Sequence, residues 1–129
     1  MTGLNAQASV TTPPYGVKAV AVAASKRGAP YAYGATGPKR FDCSGLTLYA
    51  FREAGTRLPR TADQQYRHTR HVPREHRRLG DLVFFPKGRI MGHVGIYAGQ
   101  DKIWHAPRPG TRVRLERIWT KSVRYGRVV

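Results

Sequence analysis

The chain has 129 residues, 40% of them hydrophobic, and carries 23 Lys and Arg against 7 Asp and Glu for a net charge of +16. That length suits one domain burying about two-thirds of its unfolded surface, and that apolar content excludes a disordered basic tail. A single cysteine excludes an internal disulfide framework and any cysteine-rich zinc module.

Residues 1–14 are small and polar and end in Thr11-Thr12-Pro13-Pro14, which reads as a linker or the cut edge of a chain, leaving 15–129 as one domain. They lack the basic start and apolar run of a secretory signal, and no window approaches the roughly 18 apolar residues of a membrane span. In Tyr15–Arg27, Val17, Val20, Ala21 and Ala24 recur at helical spacing, predicting a short amphipathic helix closed by Gly28. A loop rich in Gly and Pro, with Tyr31 and Tyr33, then leads into Cys43. After it Leu46, Tyr49, Ala50 and Ala54 again fall at helical spacing, with Gly55 as the stop. Cys43 therefore sits in the first turn of a helix. Unpaired N–H groups and the macrodipole there favour a thiolate, and can lower a thiol pKa from roughly 8.5 to about 3.5–7.5. The alternative for a lone cysteine is a small buried thiol.

Thr61 with Gln64 three residues on forms a capping-box pattern, predicting a helix from Thr61. His68–Leu79 is polar and basic without periodicity. Strands are predicted at Leu82–Phe85, stopped by Pro86, and at His93–Ala98, Lys102–Ala106, Arg112–Glu116 and Val123–Val129. Helices first and an antiparallel sheet second predict an α+β fold.

Of the five histidines, His68, His71 and His76 lie in the basic stretch without flanking carboxylate pairs, so no metal site is expected there. His93 opens one predicted strand and His105 ends the next. If their hairpin closes on three loop residues, Ala98 to Gln100, Tyr97 pairs with Asp101 and His93 lies opposite His105. Opposed residues share a face, with Cβ atoms about 4.5–5.5 Å apart. A plain two-residue loop would place the rings on opposite faces; an odd loop or a bulge is required. A cysteine at a helix N-terminus with two adjacent imidazoles makes a nucleophile, a base and an orienting partner. The alternative is that both histidines are merely half-buried strand residues.

The blocks Gly28-Ala29-Pro30-Tyr31-Ala32-Tyr33-Gly34, Phe41-Asp42-Cys43-Ser44-Gly45-Leu46, Leu58-Pro59-Arg60-Thr61, Gly80-Asp81-Leu82-Val83-Phe84-Phe85, Gly92-His93-Val94-Gly95-Ile96-Tyr97 and Trp104-His105-Ala106 follow in that order. Together they resemble the NlpC family of papain-like cysteine peptidases, which cut peptidoglycan stem peptides. The resemblance implies a papain-like fold, with the nucleophile helix packed on an antiparallel sheet. It implies a Cys43–His93–His105 triad, a Tyr31 hydroxyl close to the nucleophile, and stem-peptide binding by Asp42, Ser44 and Arg60. It implies cleavage between γ-D-glutamate and a diamino acid, with no metal or other cofactor. Two departures stand out: Tyr33-Gly34-Ala35 replaces the family's frequent Trp-Gly-Gly, and the basic insert Arg67–Arg78 has no recognised counterpart.

The expected protein is thus a monomeric cell-wall hydrolase, outside the membrane, acting on stem peptides through an acyl-enzyme. The basic surplus would draw it to anionic wall polymers, or is a solvated surface with no such role. Rival readings are an amidase or acyltransferase on the same scaffold, an inactive wall-binding domain, and a nucleic-acid-binding module suggested by charge alone. The last has neither zinc spacing nor a one-sided basic helix, so nucleic acid is not expected as a partner.

Overall fold

The computed structural model describes residues 15–129, and the expected linker at 1–14 lies outside the described residues. The elements are α1 (Tyr15–Ser25), α2 (Cys43–Ala54), α3 (Ala62–His68), β1 (Arg70–Val72), a 3-10 turn (Arg74–His76), β2 (Leu82–Lys87), β3 (Ile90–Gly99), β4 (Lys102–His105), β5 (Arg114–Arg117) and β6 (Arg124–Arg127). The strands form one antiparallel sheet in the order β1-β6-β2-β3-β4-β5.

Both predicted helix boundaries around the cysteine have a physical cause. Asp42 is extended at φ −95°, and its carboxylate accepts the Gly45 N–H at 2.7 Å, capping the first turn of α2. Gly55 ends the helix at φ 112°, where its N–H reaches the carbonyls of Phe51 and Arg52. The predicted capping box is present: Thr61 and Gln64 each bond the other's backbone N–H.

The sheet is buried on both faces. Leu82, Phe84, Val94, Ile96 and Trp104 pack against Ala19 and Ala23 of α1, Leu46, Ala50 and Phe51 of α2, and Ala62 of α3. Val83, Phe85, Tyr97, Ile103 and Tyr125 alternate to the other face, where Ile118 and Val123 of the β5–β6 connection cover them. Burying a large side chain such as Phe51 contributes about 1.5–3 kcal/mol.

Three expectations need correction. The stretch His68–Leu79 holds strand β1 and a 3-10 turn. Three residues are too short to show alternation, and β1 is completed by β6, which pairs Arg70 with Arg127. Pro86 does not stop β2; the register shifts between Phe85 and Pro86, so a bulge absorbs the missing N–H, and β3 starts at Ile90 rather than His93. The β3–β4 turn differs as well. Gly99 pairs with Lys102 across a two-residue loop, Gln100-Asp101, with φ values of 54° and 61°. Ala98 is then bulged out, because Tyr97 pairs with Ile103. The bulge restores the parity that a two-residue loop would have broken. Histidines 93 and 105 therefore share a face, but diagonally: the register puts Gly95, not His93, opposite His105.

Candidate active site

Cys43 is the first residue of α2 and lines a cleft with Tyr31, Tyr33, Gly34, Asp42, Ser44, Arg60 and the start of β3. Asp42 does more than cap the helix. Its carboxylate also accepts the Gly34 N–H at 2.9 Å, Arg60 Nη1 at 3.2 Å and Arg60 Nη2 at 2.7 Å. Arg60 Nη1 donates to Ser44 Oγ at 2.8 Å as well. Asp42, Ser44 and Arg60 are therefore one network bracing the Cys43 turn. The bidentate bond to Asp42 raises the pKa of Arg60.

Beneath this network, Gln65 of α3 is fully buried. It donates to the Ser44 carbonyl at 3.1 Å and the Pro59 carbonyl at 2.9 Å, and accepts from Thr47 Oγ1 at 2.6 Å. Sequence reasoning assigned Gln65 nothing, since a glutamine in a helix reads as a surface residue.

The thiol departs from expectation. Burial pushes its pKa up, and the neighbouring Asp42 charge adds to the rise, outweighing the backbone N–H groups of Ser44, Val94 and Cys43 itself. The helix N-terminus acts in the expected direction but loses to desolvation. Tyr31 is pushed up too, first by burial and then by Cys43 and Asp42, which sets its phenol beside the thiol in the protonated form.

His93 and His105 are brought together. His93 Nε2 lies 2.9 Å from His105 Nδ1, with ring centroids 5.1 Å apart. They line a hollow with Arg108, Arg114, Glu116 and Trp119, adjoining the Cys43 cleft at β3: Gly92 lines the cleft, His93 the hollow, and the Val94 N–H reaches the thiol. His105 is 1% exposed. Room for it comes from Gly95, where a Cβ would stand 3.2 Å from His105 Cβ. Burial, and then the neighbouring imidazole, lowers the pKa of His93 to about 3. Burial also lowers that of His105, with Glu116 partly offsetting it. The resting pair is neutral.

Two residues at the imidazoles were missed. Glu116 Oε1 lies 2.8 Å from His105 Nε2 and accepts Arg114 Nε at 3.0 Å. Trp119 stacks on Phe85 with centroids 4.6 Å apart, and its ring is 5.5 Å from His105 and 6.3 Å from His93. For Glu116 a signal existed, since β5 continues the meander and alternation returns it to the His105 face, where Arg114 opposes His105. Trp119 belongs to an irregular connection, which no periodicity could place. His71, outside this region, stacks on Tyr66 with centroids 4.0 Å apart.

Known proteins share this sequence pattern and this fold. Over 114 residues the chain is 41% identical to a probable endopeptidase p60 of Listeria monocytogenes, covering 84% of this chain and 23% of that one. It is 41% identical over 87 residues to the bifunctional muramidase/DL-endopeptidase CwlT of Bacillus subtilis, covering 64% of this chain and 26% of that one. The chain thus spans about a quarter of the length of these curated relatives. Among solved structures, the peptidoglycan hydrolase RipB of Mycobacterium tuberculosis superposes with a TM-score of 0.83 at 26% identity, over 100% of this chain and 72% of that one. The P60 domain of a Mycobacterium avium subspecies paratuberculosis antigen gives 0.77 at 27% identity, over 88% of this chain and 93% of that one. The fold is that of papain-like NlpC/P60 domains. Residues 28–127 match the NlpC/P60 family, and the chain belongs to that family.

Proposed function

We propose that the chain is a peptidoglycan hydrolase, a cysteine endopeptidase that cleaves the γ-D-glutamyl–diamino acid bond of stem peptides. One observation carries the reading: in a chain of the NlpC/P60 family, an imidazole pair at 2.9 Å lines a hollow that meets, at β3, the cleft of the cysteine opening α2. The relatives support the reaction class, because three of the four named above are a probable endopeptidase, a bifunctional muramidase/DL-endopeptidase and a peptidoglycan hydrolase.

The reaction starts from a neutral thiol and a neutral His93. As Cys43 Sγ adds to the γ-glutamyl carbonyl, its proton passes to His93, whose Nε2 is held by His105. The oxyanion is stabilised by the Cys43 N–H and the protonated Tyr31 hydroxyl. Collapse breaks the C–N bond, and His93 returns the proton to the departing amine. Water then gives a proton to His93 and adds to the thioester; the carboxylate product leaves and the thiol is re-formed. Asp42, Ser44 and Arg60 hold the cleft wall on which the stem peptide's polar groups bind. The enzyme acts as a monomer at the wall, outside the membrane, and needs no cofactor.

Mass spectrometry of digested peptidoglycan, with Cys43→Ala as control, tests this. New diamino-acid amines in the wild-type digest alone are expected. Free lactyl sugar ends would make it an amidase, peptide exchange without net hydrolysis an acyltransferase, and full turnover by Cys43→Ala would end the cysteine-hydrolase reading.

A further inference from the structure

We propose that Glu116 is a positioning residue of the catalytic apparatus, its carboxylate fixing the tautomer of His105 and, through it, that of His93. The inference rests on the reading of Cys43 and His93 as nucleophile and base, and extends the relay by one strand.

The argument is donor arithmetic. A carboxylate can only accept, so at 2.8 Å from Glu116 Oε1 the His105 Nε2 must carry a hydrogen. A neutral imidazole has one N–H, which leaves His105 Nδ1 as a bare lone pair. His93 Nε2, 2.9 Å away, must then donate to it. His93 Nδ1 is left as the unprotonated nitrogen, the one able to take the thiol proton. The reverse assignment would set the bare Nε2 of His105 against a carboxylate oxygen, two acceptors at contact distance. Protonating Glu116 would permit it, but the bonds from His105 and Arg114 outweigh its partial burial and hold its pKa below the usual carboxylate value.

The charged and titratable groups facing the imidazoles are few: Arg108 after β4, and Arg114 and Glu116 on β5, while the Cys43 thiol lies in the adjoining cleft. The two guanidiniums oppose protonation of His105, and Glu116 favours it in both imidazoles. When His93 takes the proton, Glu116 is the carboxylate that faces the new imidazolium. A structural role for Glu116 would be small, since Arg114–Glu116 is a half-exposed pair on an edge strand.

Glu116→Gln keeps the shape and removes the charge. Its kcat is expected to fall about 10- to 100-fold, below the 10²–10⁴ that a general base contributes, with KM within about twofold. The acid limb of kcat/KM should move to lower pH, because the group that raised the imidazoles' proton affinity is gone. In a His105→Ala background the same substitution should add nothing. Wild-type kcat with an unmoved acid limb, or an undiminished further loss in that background, would overturn the proposal. A readout independent of turnover is ring ¹⁵N NMR of the Cys43→Ala protein, where both histidines should carry Nε2–H. A His93 bearing Nδ1–H there, or an unchanged His105 ring spectrum after adding Glu116→Gln, would also overturn it. The proposed function falls on a different result, turnover by Cys43→Ala.

Discussion

Gly95→Ala tests whether the imidazole relay depends on a missing side chain. The new Cβ would stand 2.8 Å from Ile103 Cδ1 and 3.2 Å from both Ile103 Cβ and His105 Cβ. The Cδ1 methyl can swing aside, but the two Cβ atoms are fixed to β4 and must retreat by a few tenths of an ångström. Overpacking costs about 1–3 kcal/mol, and replacing a strand glycine returns about 0.5–1 kcal/mol. A net loss of about 1–2 kcal/mol lowers Tm by roughly 4–8 °C in a domain of this size. Moving His105 by about 0.3–0.5 Å lengthens its bonds to His93 and Glu116, now 2.9 and 2.8 Å. If a 1 Å misplacement costs about 10²-fold, that shift lowers kcat about 4- to 10-fold. Scanning fluorimetry and steady-state kinetics on a soluble stem peptide measure the two effects. Adding Ile103→Val removes Cδ1, so the double variant should be less destabilised than the sum of the single changes, while kcat stays low. Wild-type Tm and kcat in Gly95→Ala, or full recovery of kcat in the double variant, would refute the reasoning.

Stability should also depend on pH in a defined window. His93 is lowered to about 3 in the fold against about 6.5 unfolded, so the unfolded chain binds the extra proton between these values. The contribution is fully present above about pH 6.5 and is lost as pH falls towards 3, and His93→Asn should flatten the Tm–pH curve there; a parallel curve would refute the assignment. Gln65→Leu keeps volume but strips the bonds to Ser44, Pro59 and Thr47, and should cost about 2–4 kcal/mol in urea unfolding at constant m. A loss under about 0.5 kcal/mol would show the network is not supporting the α2 turn. If the +16 charge serves wall binding, retention on intact walls should drop steeply from low to high salt, while cleavage of a small stem peptide changes little. Equal salt dependence of the two would reduce the charge to a solvated surface.

What the sequence made legible was local. Asp42, Gly55, Thr61 and Gln64 announce helix ends through backbone chemistry that needs no tertiary partner. The pairing of His93 with His105 was within reach because one short turn separates their strands, although its register was missed by two residues. That slip has a cause: Gln100 and Asp101 accept positive φ without glycine, so Gly99 alone did not mark the loop's length. Strand β1 stayed hidden because its partner β6 lies more than fifty residues away, beyond any local pattern. The thiol's raised pKa was illegible for a different reason. Desolvation depends on what packs over Cys43, and a helix position says nothing of that.

The order of strands leaves β1 and β5 as the two rims of the sheet. An open rim is a template on which another chain can lay a strand. Here one rim carries Arg70 and the other Arg114 and Arg117, so rim-to-rim growth between copies would press guanidiniums together. The only carboxylate on either rim, Glu116, is already engaged by His105 and Arg114 and offers no bridge to an incoming strand. Part of the arginine surplus would thus oppose strand-to-strand growth between copies, and replacing the rim arginines with valine would remove that charge repulsion.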